Sequence, residues 1–429
     1  MKRFLLTIVF VSVSAVLWAQ TGTWSGKLDV QGTKRSIVFH LDGDKPTVDS
    51  PDQGVKGIPI QVERNGMGNI SIKIPMIGAS YEGLWMVKQI VGTFSQGGAS
   101  LPLSLSPGEE KPNRPQTPVG PFPYAQEEVS FSNGDATLTG TLVLPEGCSR
   151  RTPVLIMVTG SGQQDRDETI FGHKPFAVIA DALGREGIAS LRYDDRMMGG
   201  STGDVRSATT LDFKDDALSG IKLLRERFDK VGVLGHSEGG TIALMLAAED
   251  EVNFVVSLAG MAVSGAETVV AQSRTALLSA GYPEKTVETY CDAVSKAAFV
   301  RVHGGRMPSV EDLDLPEELQ ENFLGVLTQF QIPWMINFLA TDVRPLLGRI
   351  GCPVLALNGT RDMQVSAEAN LGALRDALPD NPCNRIEAFE GLNHLFQHCS
   401  TGDVAEYRTI EETVSPEVLQ LMSDWLKQR

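Results

Sequence analysis

The sequence predicts an α/β architecture over its C-terminal two-thirds, a mostly parallel sheet flanked by helices. A helical cap interrupts it and a small all-β domain precedes it. Three observations carry this reading. Short alternating segments fill residues 22–105; beyond residue 124 apolar strands alternate with helix-patterned runs; and residues 261–348 hold amphipathic runs with no evident strand. The 429 residues, 42% hydrophobic and 21% charged, match globular protein and leave room for two or more domains. With 38 Lys and Arg against 53 Asp and Glu, the net charge is −15, which repels phosphate backbones and anionic membrane surfaces. Nucleic acid is therefore not an expected partner.

The first residues read as an export signal. Lys2 and Arg3 precede an uncharged stretch from Phe4 to Leu17, and Ala19 offers a small residue for cleavage, so residues 1–19 are expected to be a signal peptide. The stretch is shorter than the roughly 20 residues a spanning helix needs, so no stable membrane anchor is expected. Loss of Lys2 and Arg3 takes the net charge from −15 to −17, giving an acidic chain that is secreted or periplasmic. The five cysteines, Cys148, Cys291, Cys352, Cys383 and Cys399, form no C-x-x-C pair, and thiolate zinc is not expected. In an oxidising compartment Cys383 and Cys399 could bridge around His394; the alternative is that all five are small buried apolar residues.

From Gly22 the segments TWSGKLDV, RSIVFHL, IPIQVER, NISIKI, YEGLWMV and QIVGTFS, separated by turn residues, make the all-β domain over 20–105. Six prolines between Pro107 and Pro123 make 106–124 an extended, semi-stiff connector. From 125 the order is two hairpin-like strands, the strand PVLIMVTG, a helix near 173–187, the strand IASLRYD, a helix near 207–228, KVGVLG, a helix over 238–249 and NFVVSLAG. This alternation implies a parallel sheet covered on both faces. After the cap, CPVLALNG, a helix near 366–378, RIEAFEG and a closing helix over 415–428 complete the pattern to residue 429.

Two pentads fit G-x-S-x-G, Gly199 to Gly203 and Gly235 to Gly239. A nucleophile elbow needs a buried strand running into the turn and a helix leaving it. Ser237 has both, in KVGVL and TIALMLAAED, whereas Ser201 sits in the loop sequence RMMGGSTGDVRS. A serine hydroxyl needs a base, and the base an orienting acid. His394, in EAFEGLNHLF just past the last apolar strand, is the expected base; His236 beside the serine would point away from it. Asp362, in the loop after PVLALNG, is the expected acid, with Glu387 and Glu390 as weaker candidates. The order Ser237, Asp362, His394 differs from those of the chymotrypsin and subtilisin classes. His394 and His398 could share a helical face, but no H-E-x-x-H glutamate accompanies them and no metal is expected. For the oxyanion, the Glu238 amide is one expected donor, and the Ser161 or Gln163 amide in Thr159–Asp165 the other.

The stretches TGSGQQDRDE (159–168), RYDDRMMGGSTG (192–203), GHSEGG (235–240), NGTRDMQV (358–365) and GLNHLF (391–396) carry a family resemblance. From about 125 to 429 the chain resembles the α/β-hydrolase superfamily, and more closely its bacterial secreted carboxylesterases with an N-terminal β domain and a helical cap, a serine aminopeptidase-like hydrolase group. The resemblance implies the α/β-hydrolase fold, the triad Ser237, Asp362 and His394, and an ion pair of Asp195 with Arg196 bracing neighbouring loops. Where relatives usually read D-R-G, this chain has Asp195-Arg196-Met197.

The expected function is hydrolysis of small or medium acyl esters by an exported serine hydrolase that needs no cofactor. The cap aromatics Phe299, Phe323, Phe330, Trp334 and Phe338 would line the acyl pocket or form the cap core. One alternative is a peptidase or amidase whose acidic cap residues Glu311, Asp312, Asp314 and Glu317 hold a substrate amine. Another is a carbohydrate- or surface-binding protein acting through its β domain. Oligomeric state is left open.

Overall fold

A computed structural model describes residues 22–30, 33–43, 45–53, 55–65, 68–86, 89–108 and 113–429. The signal peptide expected over 1–19 lies outside them. The chain divides into two units, one up to residue 111 and one from 112 onward.

Among the described residues, alternation of apolar and polar residues builds the first unit as β1 (Thr23–Val30), β2 (Thr33–His40), β3 (Thr47–Ser50), β4 (Val55–Pro59), β5 (Gln61–Arg64), β6 (Asn69–Ile74), β7 (Ala79–Trp85), β8 (Ile90–Gln96) and β9 (Ala99–Pro107), in the spatial order β4-β3-β2-β1-β9-β8-β7-β6-β5. One face of each strand turns inward, so Trp24, Phe39, Ile72, Tyr81, Ile90 and Leu105 share a core. The buried Tyr81 hydroxyl is placed within 3.1 Å of both the Ile90 and the Leu103 carbonyl oxygens. Two details depart from the sequence reading. IPIQVER is two strands, Val55–Pro59 and Gln61–Arg64, and the last strand, Ala99–Pro107, continues past residue 105, where Ser106 pairs with Ser25 and the Gly108 amide donates to the Thr23 carbonyl at 2.7 Å.

The second unit is an eight-stranded sheet, in the order β10-β11-β13-β12-β14-β15-β16-β17. The strands are β10 (Tyr124–Asn133), β11 (Ala136–Pro145), β12 (Val154–Val158), β13 (Ala189–Tyr193), β14 (Val231–His236), β15 (Val255–Leu258), β16 (Val354–Gly359) and β17 (Arg385–Phe389). β10 and β11 pair antiparallel, as do β11 and β13, and every pairing from β13 to β17 is parallel. β12 to β16 are buried along their whole length, which is why they read as unbroken apolar runs. Alternate residues feed opposite layers. Val154, Ile156 and Val158 meet helices α2 (Thr210–Arg225), α3 (Glu238–Ala248) and α9 (Ala367–Ala377). Leu155 and Met157 meet α1 (Pro175–Arg185) and α10 (Pro416–Leu426).

Between β15 and β16 stand the cap helices α4 (Gly265–Ser279), α5 (Glu284–His303), α6 (Glu317–Gln329) and α7 (Pro333–Ala340), then the short α8 (Arg344–Leu347). A capping box starts α4: the Glu267 amide donates to Ser264 Oγ at 3.2 Å, and the Ser264 amide to Glu267 Oε2 at 3.0 Å. The cap has its own core, including Val294, Phe323 and Phe330. Among the described residues no single helix is long and apolar enough to cross a membrane.

The proline-rich segment is not a free connector over its described length. The Arg114 guanidinium donates to the carbonyls of Ile410 at 2.7 Å, Phe171 at 2.8 Å and Arg408 at 3.0 Å. Gln116 Nε2 donates to the Val414 carbonyl at 2.7 Å, and its Oε1 accepts from the Val414 amide at 3.1 Å. These polar side chains bind a carbonyl-rich turn, so the segment belongs to the sheet unit. His173 holds the same turn from the other side. Its Nε2 lies 2.8 Å from the Tyr407 carbonyl oxygen and its Nδ1 2.9 Å from Thr413 Oγ1.

Burial holds the His173 imidazole down at about 4, below the ordinary 6.5. Between those values the unfolded chain binds the proton that the folded chain refuses, so stability falls as pH drops from about 6.5 to about 4. Thermal unfolding midpoints across that window are expected to fall less steeply in His173→Gln than in the wild type.

Candidate active site

The turn from β14 into α3 places Ser237 at φ 53°, ψ −119°, in the positive-φ range that L-residues seldom occupy. Close approach makes this bend possible. A Cβ on Gly235 would lie 1.9 Å from the Gly239 carbonyl oxygen, and one on Gly239 2.1 Å from that of Val158. The Ser237 amide donates to the Leu258 carbonyl at 2.9 Å, so the bend is anchored to β15. The second pentad is structural: Ser201 Oγ donates to the Asp194 carbonyl at 2.8 Å and accepts from the Thr139 amide at 2.9 Å.

Asp362 and His394 come from the loops after β16 and β17, neighbours in the sheet. His394 Nδ1 lies 2.7 Å from Asp362 Oδ2, and both side chains are buried. Asp362 Oδ1 accepts from the amides of Gln364 at 2.8 Å and Val365 at 2.9 Å, which orients the carboxylate. Asn393 Oδ1 ties the histidine loop by accepting from the Leu395 and Gln397 amides at 3.0 Å. Ser237 and His394 line one cavity of about 290 Å³. Glu387 binds Arg385, and His398 is exposed against Glu412, so neither joins this group. Glu390 is not among the cavity's lining residues.

Gly160 sits directly over the serine, where a Cβ would be 3.2 Å from Ser237 Cβ. Of the two loop residues expected to give the second amide, Ser161 lines the cavity and Gln163 does not. The chain turns at Gly162, φ +94°, and carries Gln163 to the Arg196 carbonyl, which its Nε2 meets at 3.1 Å.

The expected Asp195–Arg196 pair is replaced by two separate contacts. Arg196 Nε and Nη2 donate to the buried Asp216 of α2 at 2.7 and 2.8 Å. Asp195 Oδ2 accepts from Thr159 Oγ1 and from the Gln164 amide, both at 2.9 Å. Adjacent residues face opposite ways from the strand end, so each braces a different loop. Met197 takes φ 65°, a conformation suited to the glycine of D-R-G, with its side chain exposed.

Of the five cap aromatics, Trp334 and Phe338 line the cavity. Both stand on α7; Phe323 and Phe330, on α6 and just after it, are cap core, and Phe299 on α5 is 62% exposed. The Trp334 indole N–H lies 3.0 and 3.2 Å from the two carboxylate oxygens of Glu238. The same carboxylate accepts from Thr210 Oγ1 at 2.7 Å and Ser161 Oγ at 2.8 Å. Burial raises the Glu238 carboxyl, and these three donors pull it back. The acidic side chain after the serine thus joins cap, α2 and the loop after β12, a role with no signal in sequence.

His236 was expected to point away. It lines the cavity instead, with its ring 4.6 Å from that of His394 and its nitrogens bound to Glu168 and the His394 carbonyl. All five cysteines are free thiols, including Cys383 and Cys399; Cys399 Sγ donates to the Gly391 carbonyl at 3.4 Å.

Trp334→Phe keeps the apolar surface and removes the donor to Glu238. Denaturant unfolding is expected to show a loss of about 1.5–3 kcal/mol, the range for a bond to a charged acceptor. Limited proteolysis of the cap should quicken in parallel.

Esterase EstD of Thermotoga maritima is 29% identical over 279 residues, which are 64% of this chain and 62% of that relative's own length. Among solved structures, the proline iminopeptidase of Mycobacterium smegmatis is 17% identical, covered over 98% of its length and 70% of this chain, at a TM-score of 0.45. The Pyrococcus furiosus esterase Pf2001 is 17% identical, covered over 99% of its length and 75% of this chain, at 0.44. A family model described as serine aminopeptidase, S33, matches residues 174–398. Because that match takes in more than half of the chain, the protein belongs to the serine aminopeptidase S33 family of α/β-hydrolases.

Proposed function

We propose that the protein is an exported serine hydrolase that cleaves carboxylic esters of small or medium acyl groups through an acyl-enzyme. The observation that carries this reading is a serine on a left-handed bend sharing one cavity with a buried histidine–aspartate pair. Ser237 Oγ attacks the carbonyl carbon as its proton passes to His394. The amides of Glu238 and Ser161 face the oxyanion, each such donor being worth about 10²–10³ in rate. Collapse of the tetrahedral species expels the alcohol, which takes the proton from His394. Water then repeats the sequence, releasing the acid and restoring the serine. Asp362 keeps Nδ1–H directed toward itself, leaving Nε2 for the proton in transit.

Ester over amide is supported by the wall of the cavity, where Met261, Val269, Trp334, Phe338 and Val365 offer apolar surface to an acyl chain. The name of the Thermotoga relative points the same way. The acidic cap residues of the peptidase alternative are not among the lining residues, and the Asp314 side chain is 96% exposed. Export is supported by the basic and apolar pattern of residues 1–19.

Ser237→Ala is expected to bring p-nitrophenyl acetate turnover to background and to abolish fluorophosphonate labelling, with the unfolding midpoint retained. Residual activity above a few per cent would refute the assignment. Asp362→Asn should lower kcat by about 10⁴ through the wrong imidazole tautomer. Aminoacyl p-nitroanilides should turn over more slowly than the acetate ester; the reverse order would favour the peptidase reading.

A further inference from the structure

The loop after β12 and the end of β14 contain two buried titratable groups that ester cleavage as written does not use. Glu168 and His236 are 3% and 7% exposed. Glu168 sits at φ 53° in a turn closed by its own amide to the Asp165 carbonyl at 2.8 Å, with Asp165 Oδ1 accepting from the Asp167 and Thr169 amides. That turn aims Glu168 Oε1 at two donors, the Gly160 amide and His236 Nδ1, each at 2.9 Å. On the other side of the ring, His236 Nε2 lies 3.0 Å from the main-chain carbonyl of His394.

The acceptors on the two sides of this ring decide its state. A carbonyl oxygen only accepts, so Nε2 must carry a proton. The carboxylate oxygen Oε1, which also accepts the Gly160 amide, likewise only accepts, so its bond to Nδ1 needs a proton there as well. Glu168 Oε2 is buried with no hydrogen-bond partner, so the desolvated charge depends on a full positive counter-ion. The charged and titratable groups facing His236 are Glu168 from the loop after β12, and Asp362 and His394 from the loops after β16 and β17. Burial opposes charging His236, and the Glu168 and Asp362 carboxylates outweigh it, so its proton is held above the ordinary range.

We propose that Glu168 and His236 form an imidazolium–carboxylate pair of positioning residues that sets the main chain of His394, and ties it to the glycine loop that faces Ser237. The pair rests on the reading of His394 as general base. It makes one chain of bonds from the Gly160 amide through Glu168 and His236 to the His394 carbonyl, so the loop facing the oxyanion and the loop bearing the base keep a common register. The pair exchanges no proton with substrate. Its effect falls on how often the base and the serine meet in attacking geometry, which is a kcat effect.

Three measurements on the full mature chain test this. First, ¹⁵N-histidine spectra at pH 8 should show one imidazole protonated on both nitrogens in the wild type, and none in Glu168→Gln or His236→Gln. Second, both variants should lower kcat for p-nitrophenyl acetate about 10- to 100-fold with KM within about twofold, the scale of a sub-ångström misplacement. Third, the rate of fluorophosphonate labelling should fall in step with kcat. Glu168→Gln preserves size but cannot keep the ring doubly protonated, so either the ring loses one bond or, with the amide reversed, the Gly160 amide loses its acceptor. Should that variant fail to fold, His236→Gln and the wild-type spectrum carry the test.

A wild-type spectrum with no imidazolium, or variants with kcat within twofold of wild type, would overturn the proposal. If the wild type neither cleaves esters nor labels at Ser237, the hydrolytic reading itself fails. The spectra would then leave the pair as a structural brace, and its positioning role would be overturned too.

Discussion

The left-handed bend at Ser237 is the constraint on which the rest of the site depends. An L-residue occupies that conformation only where its surroundings over-determine it, and here they do so by excluding side chains. Carbonyl oxygens of β12 and of the turn itself come within about 2 Å of where Cβ atoms would stand on Gly239 and Gly235. Strand, turn and helix therefore meet backbone to backbone. The serine hydroxyl is left at the mouth of the sheet, and the first amides of α3 open beside it. Because the strands from β13 to β17 are parallel, the loops after β12, β14, β16 and β17 all emerge at that same edge.

Those loops have little regular structure, and buried carboxylates hold them in place. Glu238 gathers donors from the loop after β12, from α2 and from the cap. Asp195 gathers them from Thr159 and Gln164, Asp216 from Arg196, and Asp362 from two amides of its own loop as well as from His394. Each carboxylate joins elements distant in the chain, and each would be costly to strand without its donors. The network also explains how a loop lacking the D-R-G glycine keeps its shape. Met197 accepts an unfavourable φ because the two residues before it, Asp195 and Arg196, are pinned in opposite directions.

The proline-rich segment shows how composition can mislead about attachment. Its prolines favour extension, yet Arg114 to Thr117 close a turn, the Thr117 amide donating to the Arg114 carbonyl at 3.0 Å. Arg114 and Gln116 thereby reach carbonyls nearly three hundred positions later. Nothing in the local composition marks those acceptors, since the turn that displays them exists only once the sheet has formed.

The amino-acid order alone settled whatever depends on neighbours in the chain. Strands buried on both faces are apolar throughout, and a strand–G-x-S-x-G–helix succession is contiguous, so the sheet, the bend at Ser237 and the loops of Asp362 and His394 were all legible. A weakly alternating stretch such as IPIQVER hid its break at Ile60, because a bend leaves no mark in periodicity. Only the folded chain decided that Ser161 rather than Gln163 lines the cavity, which cap aromatics turn toward it, and that Arg196 seeks Asp216. Glu168 and His236 are 68 positions apart, and the carbonyl they serve lies 158 positions beyond. Their partnership arises from through-space proximity in a water-poor interior, where an unmatched charge cannot persist, and linear spacing carries no trace of it.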